Sequence, residues 1–400
     1  MPKILLTGTA DTKGEELAFL RAILQNTGAE TCLVDVGILT PSVRVDISAA
    51  EVSIADPNFD HSVFEANDRG AAVAAMSRAF AAYCAANHND FDGVLGIGGG
   101  GGTSIVSAGM RALPYGIPKV LVSTLASSDT SAFIGVSDTV MFPAITDLAG
   151  LNRVSRRVLH NAAQALLGMT LNPAPPETST KQAIGLSMFG VTTPCVTEVA
   201  RQIGNAFDPL IFHATGTGGQ TMERLLADNS LVGLIDVTLT EVCDLLVGGV
   251  LPCLPERLDV VATRTTPWVG APGALDMVNF WAPDTVPEKF SGRKFYHHNP
   301  NVTLMRTTPE ENTDFGRWVG NKLNACAGPV CVLLPEKGLS MLDVEGGDFW
   351  WPDADAALFD ALENTIQQTE NRKVQRLPFH INDPEFAAAL AATFQNLSKD

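Results

Sequence analysis

The sequence predicts an α/β fold of two tandem Rossmann-like domains, each a mainly parallel doubly wound sheet. Three observations predict it. Short apolar runs alternate with helical patterns along the whole chain. A proline-rich stretch at about 171–182, LNPAPPETSTKQ, interrupts that alternation, which then begins again. A Phe-Asp entry, an apolar strand and a glycine loop occur twice, at residues 91 and 207. Domains are therefore expected at 1–175 and 182–400, each with one glycine-rich loop.

In order, KILLTGT reads as a buried parallel strand. A helix is expected from Thr12 to Gln25, with Thr12 as N-cap and Glu15 completing a capping box. ETCLVDVGI is a second strand, and residues 40–66, with Pro41 and Pro57, form an irregular excursion. Ala71–Ala86 is an alanine-rich helix. FDGVLGIGGGGGTSIVSAGM reads as strand, glycine loop and helix, IPKVLVSTLASSDT as a strand, and Arg153–Met169 as an amphipathic helix. Beyond the linker, QAIGLSMFG is a strand and a helix follows at about 197–203. FDPLIFHATGTGGQTMERLL repeats strand, loop and helix. LVGLIDVT and TEVCDLLVGG repeat the step again, and further αβ units lead to helices near 310–325, 353–368 and 384–396.

Composition narrows the function. Of 400 residues 46% are apolar and 18% charged, enough to build cores and too apolar for a disordered chain. With 27 basic and 44 acidic residues the net charge is −17, and no basic cluster exceeds Arg153, Arg156 and Arg157, which argues against nucleic acid. An acidic chain can still hold an anion on backbone amides with one or two local cations. The apolar run before Asp11 is too short for a signal peptide, and no stretch reads as a membrane span. Seven cysteines (32, 84, 195, 243, 253, 326 and 331) include no C-x-x-C and read as reduced core thiols, so a cytoplasmic protein is expected.

The candidate chemistry lies where strands meet helices. Gly98, Gly99, Gly100, Gly101 and Gly102, followed by Thr103 and Ser104, let the backbone approach a phosphate or carboxylate at a helix N-terminus. The run is not a Walker A loop, because no lysine precedes Thr103. It also lacks the acidic residue about 20 positions on that NAD binding needs. Thr9, Asp11, Thr12 and Lys13 crowd the end of the first strand. Lys13 could meet a phosphate or be solvated; Asp11 could hold a metal or a ribose hydroxyl. The second loop offers Thr215, Gly216, Gly218 and Gly219, with His213 at the strand end. Asp236 and Glu241 read either as an acid–base carboxylate pair or as a helix N-terminal charge set. G-x-S-x-G, H-E-x-x-H and the kinase signatures do not occur, so His213, Asp236 and Glu241 are the catalytic candidates.

The segments TGTADTKGEEL, GIGGGGGTS, TDLAGLNRVSR, FHATGTGGQTMERL, DVTLTEVCDLLVGGV, GALDMVNF, HNPNVTLMRTTPEEN and LPFHINDP lie from end to end of the chain. On them the chain resembles the ATP-binding domain family of the tomato mosaic virus resistance protein, an uncharacterised family of bacteria, fungi and plants. The resemblance implies two tandem Rossmann-like domains, a homodimer and ATP binding near the glycine loops. Plant and some fungal members are fused to a TIM-barrel domain resembling phosphoenolpyruvate hydrolase, which implies a TIM-barrel partner protein for this chain. The expectation is thus a nucleotide-binding protein. ATP phosphates, accompanied by Mg²⁺, would lie on the first glycine loop, with the second loop facing them across an interdomain cleft. The rival expectation is a metabolic enzyme acting on a small phosphorylated or carboxylated metabolite.

Overall fold

The computed structural model describes residues 1–64, 68–175 and 179–399, and of Phe64 the backbone. The chain divides into two compact units, Met1–Glu177 and Thr178–Asp400. The expected linker falls partly on 176–178, outside the described residues.

The first unit runs β1 (Lys3–Gly8), α1 (Gly14–Asn26), β2 (Glu30–Asp35), α2 (Ala49–Ser53), α3 (Arg69–Asn87), β3 (Gly93–Gly98), α4 (Gly100–Ala112), β4 (Lys119–Ser123), α5 (Ser131–Ile134), β5 (Val140–Pro143) and α6 (Arg153–Leu171). Its five strands are parallel, in the order β2-β1-β3-β4-β5. Alternation along β1 shows why both faces are covered. Ile4 and Leu6 pack with Leu17, Leu20 and Leu24 of α1 and Leu159 and Leu166 of α6. Leu5 joins Met76 and Phe80 of α3 and Ile105 and Val106 of α4 on the opposite face. Gly109 permits the close α3–α4 approach, since a Cβ there would lie 2.3 Å from the Phe80 ring.

The second unit runs β6 (Ala183–Met188), α7 (Thr193–Ile203), β7 (Asp208–His213), α8 (Thr217–Ala227), β8 (Leu234–Thr238), α9 (Thr240–Cys243), α10 (Asp259–Ala262), β9 (Trp268–Gly273), β10 (Met277–Phe280), β11 (Phe295–Asn299), β12 (Val302–Arg306), α11 (Pro309–Asn324), β13 (Val330–Pro335), α12 (Pro352–Thr365), β14 (Arg372–Leu377) and α13 (Pro384–Leu397). Six strands form a parallel sheet in the order β14-β13-β9-β8-β6-β7. Helices α8, α11 and α12 pack on one face and α7 and α13 on the other. Between β9 and α11 the chain inserts a three-stranded antiparallel sheet, β10-β12-β11, which the sequence reading passes over.

Helix starts follow local chemistry with one correction. Asn152 caps α6 and Thr308 caps α11; each side chain accepts from the third helical amide, and each cap amide donates to that residue's side chain. Thr12 does not cap α1. Its amide and that of Lys13 both bond to the Thr9 carbonyl (3.1 and 2.8 Å), and its hydroxyl lies 2.8 Å from that of Thr9. This turn delays the helix to Gly14, and its N-cap position, Lys13, carries no side-chain cap. All seven cysteines are free; Cys32 is partly buried and the other six are buried. Among the described residues no helix is long and apolar enough to cross a membrane.

Candidate functional site

In the first sheet the strand order reverses between β1 and β3, and doubly wound sheets bind ligands outside the carboxyl ends of strands at such a point. A cavity of about 350 Å³ lies there. Thr9, Asp11, Thr12 and Lys13 line it from the β1 end; Gly99, Gly100, Gly101, Gly102 and Ile105 from the start of α4; Ile38 and Leu39 from beyond β2; and Val63, Arg69 and Val73 from the α3 side.

Most of the glycine run is helix rather than loop. Gly99 is the N-cap and Gly100 the first helical residue, and Thr103 N makes the first bond back, to the Gly99 carbonyl at 2.8 Å. The amides of Gly100, Gly101 and Gly102 therefore have no intrahelical acceptor. The run divides by what a side chain would meet. At Gly98 a Cβ would lie 2.3 Å from the Thr103 nitrogen, so the turn itself demands glycine. At Gly101 it would lie 3.2 Å from a Val73 methyl. At Gly99 and Gly102 the nearest atoms are 4.0 and 3.6 Å away, and at Gly100 none lies within 4 Å. Protein packing thus does not require glycine at 99, 100 or 102.

Thr103 and Ser104, expected on the ligand, turn away from it. The Thr103 hydroxyl is buried against Ser123 Oγ (2.6 Å) and donates to the Gly98 carbonyl (3.2 Å), tying α4 to β4. Ser104 Oγ donates to the Gly100 carbonyl (3.2 Å). One turn into α4, these positions have rotated off the cavity wall.

On the β1 side, the Lys13 ammonium donates to the Leu148 carbonyl. Asp11 Oδ2 accepts from the Leu39 amide at 3.1 Å, while its Oδ1 is buried and receives no hydrogen bond among the described residues. Arg69, which sequence reasoning missed, is an exposed cation on the cavity with no ion pair among the described residues. Asp35, also missed, is buried at the end of β2 and accepts from the amides of Ala10 (2.9 Å) and Gly37 (2.8 Å). It fixes the loop after β1, and burial pushes its carboxyl up. Its position as the last residue of an apolar strand was the available signal.

The second glycine loop resembles the first in sequence and differs in occupancy. Gly216, in the left-handed region at φ 83°, opens α8, and its amide donates to Glu241 Oε2 at 2.7 Å. A Cβ at Gly219 would lie 2.2 Å from Glu241 Oε1 and 2.9 Å from Arg257 Nε; one at Gly218 would lie 1.8 Å from the His213 carbonyl. These glycines make room for the protein's own carboxylate and backbone. Among the described residues Thr215 Oγ1 reaches only the His213 carbonyl, at 3.4 Å.

Asp236 and Glu241 are held in the same way. Both are fully buried around Arg257, a residue that sequence reasoning missed. Arg257 donates to Glu241 Oε1 (2.6 Å), to Glu223 Oε1 (2.7 Å) and to both oxygens of Asp236 (3.0 and 2.8 Å). Ser187 Oγ adds a 2.6 Å bond to Asp236. Burial pushes the Glu223 and Glu241 carboxyls up, with Arg257 opposing it. The arrangement neutralises a buried arginine and presents neither Asp236 nor Glu241 to a ligand. His213 ends the edge strand β7, exposed and stacked on Phe189 at 5.3 Å, apart from both carboxylates' bonds. Among the described residues no three His, Cys, Asp or Glu side chains assemble as a metal-binding group.

Residues 2–175 match the N-terminal domain, and residues 181–398 the C-terminal domain, of the Uncharacterised protein family (UPF0261). The UPF0261 protein RA0729 of Rhizobium meliloti is 56% identical, with 100% of each chain covered. A UPF0261 protein of Clostridium tetani is 43% identical over 99% of this chain and 98% of its own. The ToMV resistance protein Tm-1(GCR237) of Solanum lycopersicum is 41% identical over 99% of this chain and 56% of its own, so the chain spans about half of the tomato protein. Among solved structures, Acinetobacter baumannii MurG aligns over 100% of this chain and 93% of its own at 14% identity, with a TM-score of 0.23, too loose a likeness to bear on function.

Proposed function

Because the chain belongs to the uncharacterised protein family UPF0261, whose two domains it matches from residue 2 to residue 398, we propose that it does what its first domain is shaped for: it binds a nucleotide, ATP, at the β1/β3 crevice. One observation carries this reading. Glycines occupy 99, 100 and 102 where no neighbouring atom requires them, beside three helix N-terminal amides that have no intrahelical acceptor. Glycine in a helix costs roughly 0.5–1 kcal/mol relative to alanine, and close approach of a phosphate to those amides supplies the reason for it.

The rest of the wall suits the remainder of a nucleotide. Arg69 gives the phosphates a cation, while Lys13 is turned to the Leu148 carbonyl. Ile38, Leu39, Val63 and Val73 provide an apolar surface for a base, and Leu39 stands 66% exposed at the cavity. Among the described residues Asp11 is the one carboxylate on the wall. It could give Mg²⁺ a single protein ligand, the phosphates and water supplying the others. The rival acid–base reading is weakened, since two of its three residues neutralise Arg257.

A thermal-shift titration with ATP, ADP, NAD and sugar phosphates, with and without Mg²⁺, tests the proposal. ATP at 100 times its Kd should add about 2.7 kcal/mol to stability. A shift with a sugar phosphate and none with any nucleotide overturns the reading in favour of the metabolic enzyme.

A further inference from the structure

The second unit contains a polar nest that the proposed binding site does not use. Arg306 on β12, Asp276 between β9 and β10, Asp343 in the loop 336–351 and Asp355 in the first turn of α12 come together with relative exposures of 1%, 0%, 0% and 5%. One guanidinium is thus the cation for three buried carboxyl groups, two of them within 4 Å of it. Arg306 Nη2 lies 2.7 Å from Asp355 Oδ1 and 3.6 Å from Asp343 Oδ1, the second too long for a hydrogen bond. Asp276 Oδ1 and Asp343 Oδ1 are buried and receive no hydrogen bond among the described residues.

Part of what ties down the 336–351 loop runs through this nest, beside backbone bonds to Val191, Ala274, Leu377, Phe379 and Ile381. Arg306 Nε donates to the Phe349 carbonyl (2.7 Å), Ser340 Oγ to Asp276 Oδ2 (2.7 Å) and the Leu339 amide to Asp343 Oδ2 (2.9 Å). The same loop exposes Met341 (55%) and Val344 (40%). Three ionised carboxylates against one buried guanidinium would leave two excess negative charges at almost no exposure, too unfavourable to persist, and buried acids so placed take up protons instead.

We infer that the Arg306 nest is a proton-operated latch on the 336–351 loop, closed while Asp276 and Asp355 carry protons and loosened when both ionise. Asp343 neighbours the Asp355 carboxyl, so a proton held between the two would offer the Asp343 side chain the donor that its Oδ1 lacks. The charge count then becomes one carboxylate against one guanidinium. Loss of the two protons to solvent leaves two excess negative charges pressing on a loop held by the same groups.

Burial, reinforced by the neighbouring Asp343 and opposed by Arg306, pushes the Asp276 carboxyl up to about 7 and that of Asp355 up to about 8. Both lie above the ordinary carboxyl value near 4. The protonated form therefore favours the closed loop at acid pH, and that contribution fades as pH rises through 7 to 8. Among the described residues the other groups near the nest are His380, whose Nε2 is 2.9 Å from the Ser340 carbonyl, Cys243, Glu311 and Asp244, whose carboxyl burial pushes up to about 7. Burial keeps the Cys243 thiol well above its usual value, and Glu311 is paired with Arg293 at 2.6 Å.

Amide hydrogen exchange of the 336–351 segment at pH 6 and pH 9, corrected for intrinsic exchange rates, tests the latch. Wild-type protection should fall at least tenfold between the two, with protection of β6–β8 peptides unchanged. Asp355→Asn and Asp276→Asn each place a neutral group where the proton sits, so each variant should show a smaller step. If one fails to fold, the other carries the test. Equal wild-type protection at both pH values, loss that extends equally to β6–β8, or a full step in a folded asparagine variant overturns the inference.

Discussion

Replacing Gly100 separates what the ligand needs from what the fold needs. Among the described residues no atom lies within 4 Å of a Cβ built there, and the residue is the first of α4. Gly100→Ala should therefore stabilise the unliganded protein by about 0.5–1 kcal/mol, the usual gain from removing backbone freedom in a helix. For a unit of this size that is an increase in Tm of roughly 1–4 °C. Gly98→Ala should do the reverse, because its Cβ would lie 2.3 Å from the Thr103 nitrogen, a backbone atom that cannot swing aside. Such overpacking costs about 1–3 kcal/mol or more. Gly100→Val should fold and yet crowd the amides. If it weakens ATP a hundredfold, ATP at 100 times the wild-type Kd adds only about 0.4 kcal/mol in place of about 2.7 kcal/mol. Calorimetry on the four proteins, with and without ATP, reads every term. A folded Gly100→Val with the wild-type ATP shift would refute the site, and a Gly100→Ala as damaged as Gly98→Ala would refute the packing argument.

Arg69→Ala should weaken ATP binding and flatten its salt dependence while leaving stability within about 0.5 kcal/mol, because the side chain is exposed; titration calorimetry at two salt concentrations checks both. Thr103→Val removes a buried hydroxyl that faces Ser123 and should cost about 1–3 kcal/mol in urea melts with ATP affinity unchanged. Arg257→Met leaves Glu223, Asp236 and Glu241 buried without their cation and should cost about 3–5 kcal/mol near pH 7. Burial already raises the Glu223 and Glu241 carboxyls, and loss of Arg257 raises them further. The folded variant then holds more protons than the unfolded chain above about pH 4.5, so its stability should recover as pH falls. Melts at pH 5 and pH 8 that differ no more than wild type would contradict this.

What the sequence makes legible is what local patterns encode. Apolar runs of five or six residues mark β1, β3, β6 and β8, and the end of β3 locates the cavity. Nothing local distinguishes the two glycine loops. That the second is filled by Glu241 depends on Arg257, 16 residues further on, and the pairing becomes evident only when α9 meets the start of α8. Thr12 carries a capping signature, but a carbonyl three residues earlier captures its amide. The sheet formed by β10, β11 and β12 has strands of four or five residues, with His297, His298 and Asn299 on one of them, too short and polar for a period to register. Arg69 escaped notice because a single cation at a helix start has no motif.

The burial of six of the seven thiols turns chemical labelling into a clock for opening. Cys84 and Cys195 are held so deep that burial alone pushes their thiols far above the ordinary value, out of reach of a thiol reagent while the chain is closed. Cys84 is the buried thiol of the first unit, and Cys195, Cys243, Cys253, Cys326 and Cys331 are those of the second. The order in which these sites acquire a label under mild denaturant is then the order in which the two units come apart, recorded by mass in one unmodified chain.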